Sequence, residues 1–254
     1  IKGSRFLRTF PVLLYIFNKI MERQIDGAIG VAPLNLEIFK DYPGPKVVIP
    51  NGIDIERFSQ SSTKVEKFND GKLNLLFVGR LEKRKGLIYL LKSFQILSEK
   101  YGNLRLIIVG QGKLKKNCQN WAEKNNLKEV YFEGQVTDNK LPSYFAGADI
   151  FVSPATFGES FGVVLLEAMA AGLPAVAFAN DGYKNFLAGK KGQDFLVPPK
   201  DYQALAEKIE TLIQSQSLRK EMGEWGKVEA KKYAWPKIAD QVLAFYQLCQ
   251  KIKH

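Results

Sequence analysis

One basic turn and two carboxylates are the residues of this chain whose types and spacing suit them to chemistry. The turn is Phe77-Val78-Gly79-Arg80-Leu81-Glu82-Lys83-Arg84-Lys85-Gly86, an apolar strand that ends in glycine and passes through cations into a helix. Gly79 lets the backbone approach a ligand closely, and the helix N-terminus offers amide donors to an anion. Arg80 can fork onto phosphate oxygens while Lys85 adds a point charge, a pair suited to a diphosphate. A solvated basic loop is the alternative, and the strand-glycine-turn-helix order makes it the weaker reading.

The carboxylates are Glu159 and Glu167, in Ser153-Pro154-Ala155-Thr156-Phe157-Gly158-Glu159-Ser160-Phe161-Gly162-Val163-Val164-Leu165-Leu166-Glu167. A strand ends at Ser153, and a helix is expected from near Phe161 to the stop signal Gly172-Leu173-Pro174. Glu159 then sits at the helix mouth beside Ser160, with the amides of Phe161, Gly162 and Val163 free to hold a phosphate or sugar oxygen. Each carboxylate can accept hydrogen bonds from two vicinal hydroxyls, so one suits a sugar and the other a ribose. A helix-cap acid and a surface glutamate are the plainer alternatives. For Glu167, set among Leu166, Ala168 and Met169, that alternative is weak, because a buried carboxylate needs a partner.

Other chemistries are excluded by what is missing. The sole histidine is His254, and Cys118 and Cys249 stand in no metal-ligand spacing, so the thiols read as unpaired in a reducing, cytoplasmic setting. No Asp-x-Asp triplet occurs, so no metal cofactor is expected. Val109-Gly110-Gln111-Gly112 opens like a dinucleotide fingerprint, but Lys115 occupies the third glycine's place and no acidic ribose binder follows, which leaves a tight turn. The net charge of +11 attracts nucleic acid, anionic membranes and anionic substrates alike. No aromatic-basic recognition motif accompanies it, so no nucleic-acid partner is expected.

The elements that position these residues alternate. Apolar strands Leu73–Val78, Leu104–Val109, Val130–Phe132, Ile150–Val152 and Ala175–Phe178 are separated by helical stretches, the pattern of βαβ units in a parallel sheet buried on both faces. Three helices follow, over Asp201–Gln214, Ser217–Lys232 and Lys237–Lys251. Upstream, helix-strand pairs cover Phe6–Gln24 with Gly27–Val31 and Asn35–Lys40 with Lys46–Ile49, and Ser59–Asp70 reads as a loop. The fold class is therefore α/β: a Rossmann-like domain over 52–235, residual pieces of another α/β unit over 1–51, and a C-terminal helix over 236–254. The start at Ile1 gives the expectation of further sequence upstream. The apolar run Val12–Phe17 is far short of the roughly 20 residues that span a bilayer. The helix around it, flanked by Arg5, Arg8, Lys19 and Arg23, has two readings, a contact with anionic membrane and packing within a domain, of which packing is the commoner.

Together, Gly79-Arg80 with Lys85-Gly86, Glu159 separated by seven residues from Glu167, and Ala168-Met169-Ala170-Ala171-Gly172 resemble the C-terminal donor-binding domain of the retaining glycosyltransferases of GT-B architecture (family 4-like, group 1). Glu159-Ser160-Phe161-Gly162, Asp181-Gly182-Tyr183-Lys184-Asn185-Phe186-Leu187 and Phe132-Glu133-Gly134-Gln135-Val136-Thr137-Asp138 are similar to the phosphatidyl-myo-inositol mannosyltransferases. The resemblance implies GDP-mannose as donor, with Val136 and Asp138 near the base, Glu167 on the ribose, Arg80 and Lys85 on the diphosphate and Glu159 on the mannose. It also implies a lipid-linked acceptor, peripheral placement at the inner face of a membrane, and a C-terminal helix that crosses back toward the N-terminal domain. The family's acceptor site and a histidine near the transferred sugar belong to that N-terminal domain, of which only the tail is expected here. Many relatives carry Gly-Gly-x-x-Glu near residue 181, and this chain has Asn185 in place of the Glu. Two rival functions stay open: a glycosyltransferase with a UDP-sugar donor for polysaccharide or glycolipid synthesis, and a non-catalytic nucleotide-sugar-binding fragment.

Overall fold

The computed structural model describes residues 19–61 and 63–253, so most of the helix expected over Phe6–Gln24 lies outside the described residues, and only its end, 19–22, is seen to be helical. Two compact units emerge: the chain up to Asn51 together with Pro236 onward, and the segment Gly52–Trp235.

In the smaller unit, strands β1 (Ala28–Gly30) and β2 (Lys46–Val48) pair in parallel. Their connection contains a 3₁₀ helix, Pro33–Phe39, where the sequence pattern predicts an α-helix over Asn35–Lys40. Pro33 opens it with no N–H to give, and none of its seven residues is buried, so no core packing favours the wider coil. Ile238, Phe245 and Cys249 of the C-terminal helix (Trp235–Lys253) bury against Ile49, with Val47 and Val242 beside them.

The larger unit carries six parallel strands, β3 (Leu73–Val78), β4 (Leu104–Val109), β5 (Val130–Gly134), β6 (Ile150–Ser153), β7 (Ala175–Phe178) and β8 (Leu196–Val197), in the spatial order β5-β4-β3-β6-β7-β8. All six residues of β4 are buried, as a strand covered on both faces requires. The period-2 alternation of β3 divides the apolar side chains into two cores. Leu75 and Phe77 face one, with α2 (Leu87–Lys100), α3 (Lys115–Lys124) and α7 (Tyr202–Gln214). Leu76 faces the other, with α1 (Ile55–Ser59), α4 (Leu141–Ala146), α5 (Val163–Ala170), α6 (Asp181–Leu187) and Ala230 at the end of α8 (Gln216–Ala230). Helices on both faces of a parallel sheet make this a Rossmann-like layer structure.

Three differences from the sequence expectation have local causes. Strand β8 has only two residues, too short to stand out as an apolar run. The stretch Ser59–Asp70, which reads as a loop, includes a 3₁₀ turn, Glu66–Phe68, that drives Phe68 into the core. Helix α5 begins at Val163 and not near Phe161, because Gly162 adopts a left-handed backbone (φ 96°, ψ 56°) that holds the chain out of the helix until the next residue.

Strand order decides where a ligand can bind. From β3 the chain moves outward through β4 and β5, then returns to the other side of β3 as β6, so the order reverses between β3 and β6. In open parallel sheets the crevice beyond the carboxyl ends of the strands at such a reversal is the ligand site. The loops at that point are Gly79–Gly86 after β3 and Pro154–Gly162 after β6, the two segments that carry the cations and Glu159.

Candidate functional site

The basic turn closes through a short 3₁₀ helix, Lys83–Lys85, which ends at Gly86 in the left-handed region (φ 70°). A side chain at Gly86 would collide with the carbonyl of Pro154, so glycine there lets the β3 loop press directly on the β6 loop. Main-chain bonds complete the junction: the Thr156 amide donates to the Arg84 carbonyl at 2.8 Å, and the Thr156 hydroxyl reaches the same oxygen at 3.2 Å. Three residues per 3₁₀ turn fan consecutive side chains about 120° apart. Arg84 and Lys85 consequently reach Glu159, whereas Lys83 lines a separate small cavity with Leu87, Cys118 and Phe157.

Glu159 is the centre of the arrangement. Its Oε1 accepts from Arg84 Nη1 at 3.0 Å and lies 2.7 Å from Lys85 Nζ in an ion pair, and its side chain is only 10% exposed. Glu82 extends the ladder, contacting Arg84 at 3.3 Å and Arg80 at 3.2 Å. Arg80, expected on a common ligand with Lys85, pairs with Glu82 and leaves its side chain 67% exposed. Charges alternate along the chain of contacts Arg80, Glu82, Arg84, Glu159, Lys85.

Beside this ladder lies a cleft of about 680 Å³ lined by Gly79, Arg80, Glu82, Gln111, Lys113 and Val136, among others. The stem of Lys85 passes close to Gly79, one of the lining residues, since a Cβ on Gly79 would lie 3.8 Å from Lys85 Cδ. The turn after β4, which on sequence reads as no more than a tight turn, forms one wall. Gly79 and Gly112 leave backbone exposed to a ligand, while Val78, Val109, Val136 and Leu141 give an apolar end suited to a flat ring.

Glu167 is the fifth residue of α5, just over one turn in, and half-buried. Burial pushes its carboxyl up to about 7, opposed by the charge of Arg57 and reinforced by that of Asp138. Arg57 in turn donates from Nη2 to the Asp138 carbonyl at 2.6 Å, pinning the loop that carries Val136 and Asp138. Asp54 caps the short helix that presents Arg57, accepting its amide at 3.1 Å.

The β6 loop rests on a buried polar network. Ser153 and Tyr183 share a hydrogen bond of 2.6 Å, Asn180 Nδ2 donates to Ala155 O at 2.9 Å, and Asn180 Oδ1 accepts the Tyr183 amide at 3.0 Å. Burial raises the Tyr183 phenol well above its usual range, leaving it a neutral hydrogen-bonding group. Past Glu159 the expected binding residues diverge. Ser160 is exposed, but Phe161 turns inward against Phe186 and Tyr233, with ring centroids 4.9 and 5.6 Å away. Phe161 therefore contributes no helical amide; Gly162 is the N-cap and Val163 the first residue of the turn.

The structure brings Glu159 to Lys85, lines one cleft with Gly79, Arg80 and Val136, and sets Glu167 within electrostatic reach of Asp138. Sequence reasoning missed Arg84, Glu82, Arg57 and Lys113. Arg84 and Lys113 each stand among other basic residues, and periodicity does not say which cation of such a run faces inward. Among the described residues no group of three His, Cys, Asp or Glu side chains is arranged to hold a metal ion, and no helix is long and apolar enough to cross a membrane.

Comparison with known proteins identifies the family. The family description "Glycosyl transferases group 1" matches residues 58–229. Phosphatidyl-myo-inositol mannosyltransferase of Mycobacterium tuberculosis is 32% identical over 250 residues, covering 94% of this chain and 65% of the relative, so the chain spans about two thirds of that protein's length. Among solved structures, sucrose-phosphate synthase from Thermosynechococcus elongatus superimposes with a TM-score of 0.77 at 24% identity, covering 94% of this chain and 62% of that one. Anabaena HepE in complex with UDP and glucose gives 0.75 at 21% identity, covering 92% and 66%. With a doubly covered parallel sheet, a cation-bearing loop at its reversal point and a family match across most of its length, the chain belongs to the group 1 glycosyl transferases of GT-B fold.

Proposed function

We propose that this chain is the nucleotide-sugar-binding part of a retaining hexosyltransferase that moves mannose from GDP-mannose onto a lipid-linked acceptor such as phosphatidylinositol. The observation that carries the reading is the meeting of Lys85 and Glu159 at the β3/β6 reversal, where the same β3 loop lines a cleft through Gly79, Arg80 and Glu82. A sugar diphosphate needs cations for its phosphates and an acceptor-rich group for its hydroxyls a few ångströms apart, and these loops supply both.

In this reading the base occupies the apolar end of the cleft by Val136, with the Asp138 carboxylate accepting from ring N–H groups. Guanine offers an adjacent N–H and amino pair to a carboxylate, and uracil offers a single N–H. Glu167 takes the ribose, Arg80 and Lys85 the diphosphate, Glu159 the mannose hydroxyls, and the Gly162–Val163 turn the remaining oxygens. The acceptor hydroxyl attacks the anomeric carbon on the face from which the diphosphate departs. Its proton passes to a donor phosphate oxygen, so configuration is retained and no metal ion is required. The two cations stabilise charge growing on the leaving phosphate, which in comparable sites contributes roughly 10²–10³-fold per group. A lipid-linked acceptor places the reaction at a membrane surface, toward which the +11 charge favours approach to anionic lipid.

The test is titration of GDP-mannose and UDP-sugars onto the protein, with Arg80→Ala and Lys85→Ala as controls and transfer measured with and without EDTA. Tight guanosine binding that both substitutions weaken is the expected result. Equal weak binding by wild type and both variants removes the donor-site assignment. Preference for a uridine donor leaves the enzyme class standing and removes mannose.

A further inference from the structure

Glu159 uses one oxygen for two cations. Arg84 Nη1 and Lys85 Nζ both meet Oε1, at 3.0 and 2.7 Å, and the Arg84 hydrogen bond goes to that oxygen and not to Oε2. The two cations are held differently. Arg84 Nη1 also donates to the Gly158 carbonyl at 3.0 Å, its Nε lies 3.3 Å from Glu82 Oε2, and its own carbonyl receives the Thr156 amide at 2.8 Å. Side chain and main chain both tie it to the β6 loop, in a planar fork that loses little freedom per bond formed. Lys85 makes one ion pair at the end of a flexible stem that passes close to Gly79.

We propose that Arg84 is a positioning residue for the transferred sugar: it holds Glu159 oriented through Oε1 and Gly158 while Lys85 turns to the donor diphosphate, leaving Oε2 to receive the sugar hydroxyls. The inference rests on the reading that Glu159 faces the sugar and Lys85 the phosphates. Lys85 has three N–H donors to divide between Glu159 and a diphosphate, and a carboxylate only 10% exposed with Lys85 as its single cation would be left poorly compensated as that charge turned to the ligand. With Arg84 in place, the exchange costs Glu159 one contact out of two. The cations thereby divide their roles, Arg84 staying on the protein's own acid whereas Lys85 and Arg80 meet the ligand.

The experiment compares wild type, Arg84→Ala and Arg84→Lys in the intact protein, reading melting temperature, GDP affinity by calorimetry, and kcat and donor KM in a transfer assay. GDP lacks the sugar, so Arg84→Ala should bind it within about threefold of wild type, while kcat with the sugar nucleotide falls roughly 10–100-fold, as expected for a lost hydrogen bond to a charged group. Arg84→Lys reaches the carboxylate but cannot also span to Gly158, and should recover part of the loss. The proposal is overturned if Arg84→Ala leaves kcat unchanged, or if GDP affinity, melting temperature and kcat all fall together with no rescue by lysine. Should the alanine variant fail to fold, Arg84→Lys and Arg84→Gln carry the same comparison of kcat against GDP affinity. Wild type that neither binds GDP nor transfers sugar overturns the functional reading and this one with it, whereas active wild type with an unaffected variant overturns this one alone.

Discussion

Replacing Glu167 with glutamine should remove a pH dependence from donor binding and stabilise the protein in alkaline solution. Burial moves this carboxyl from 4.5 to about 7, with the Arg57 charge opposing and the Asp138 charge adding. A ribose diol donates to the ionised form, so below pH 7 binding must first expel a proton. The ionised fraction falls about tenfold between pH 8 and pH 6, and affinity should fall by the same roughly tenfold. GDP-mannose is the ligand to use, because its phosphates are diesters that do not titrate in this window, unlike the terminal phosphate of GDP. Calorimetry at about pH 6.5 in buffers of different protonation enthalpy should detect proton release that Glu167→Gln abolishes. Stability follows from the same shift. The unfolded carboxyl loses its proton near 4.5 and the folded one near 7, so across that interval the unfolded chain binds fewer protons. Stability must therefore decline as pH rises through that interval and stay lower above it, by roughly 3 kcal/mol in all. Glu167→Gln should regain about that much near pH 8 and nothing near pH 4. The reasoning is refuted if wild-type affinity for GDP-mannose is flat from about pH 6 to 8, or if the variant keeps the wild-type slope.

Two further outcomes are expected. Gly162→Ala forces a side chain onto a left-handed backbone and against the ring of Tyr183; chemical denaturation should show a loss of about 2–4 kcal/mol, together with weaker donor binding. The Cys118 thiol, buried and pushed up to about 11, should resist iodoacetamide at about pH 8 until denaturant unfolds the chain, and rapid labelling of the native protein at that site would contradict its placement.

Much of this molecule is legible from residue order. Strands Leu73–Val78, Leu104–Val109 and Ala175–Phe178 have the bounds that their apolar runs imply, because a strand covered on both faces is built mainly from apolar side chains, with Asn74 and Arg105 the buried polar exceptions. Gly79-Arg80 and Lys85-Gly86, with Glu159 and Glu167 following, point to a phosphate and sugar site, since few residue types can grip a diphosphate and a diol. What sequence leaves open turns on rotation and distance. A run such as Lys83-Arg84-Lys85 holds three equivalent cations until a 3₁₀ turn aims two at Glu159 and one elsewhere. Phe161 reads as the start of a helix until Gly162 in the left-handed region delays that start and the ring turns toward Tyr233. Arg57 and Asp138, 81 residues apart, meet only because α1 packs against α4 and α5, beside the loop that leaves β5. The kinds of chemistry were set by composition and local spacing, which are one-dimensional properties. Which atoms share a partner, and which carboxylate is desolvated, was decided by strand order and by close approach between loops, and those exist only once the chain has folded.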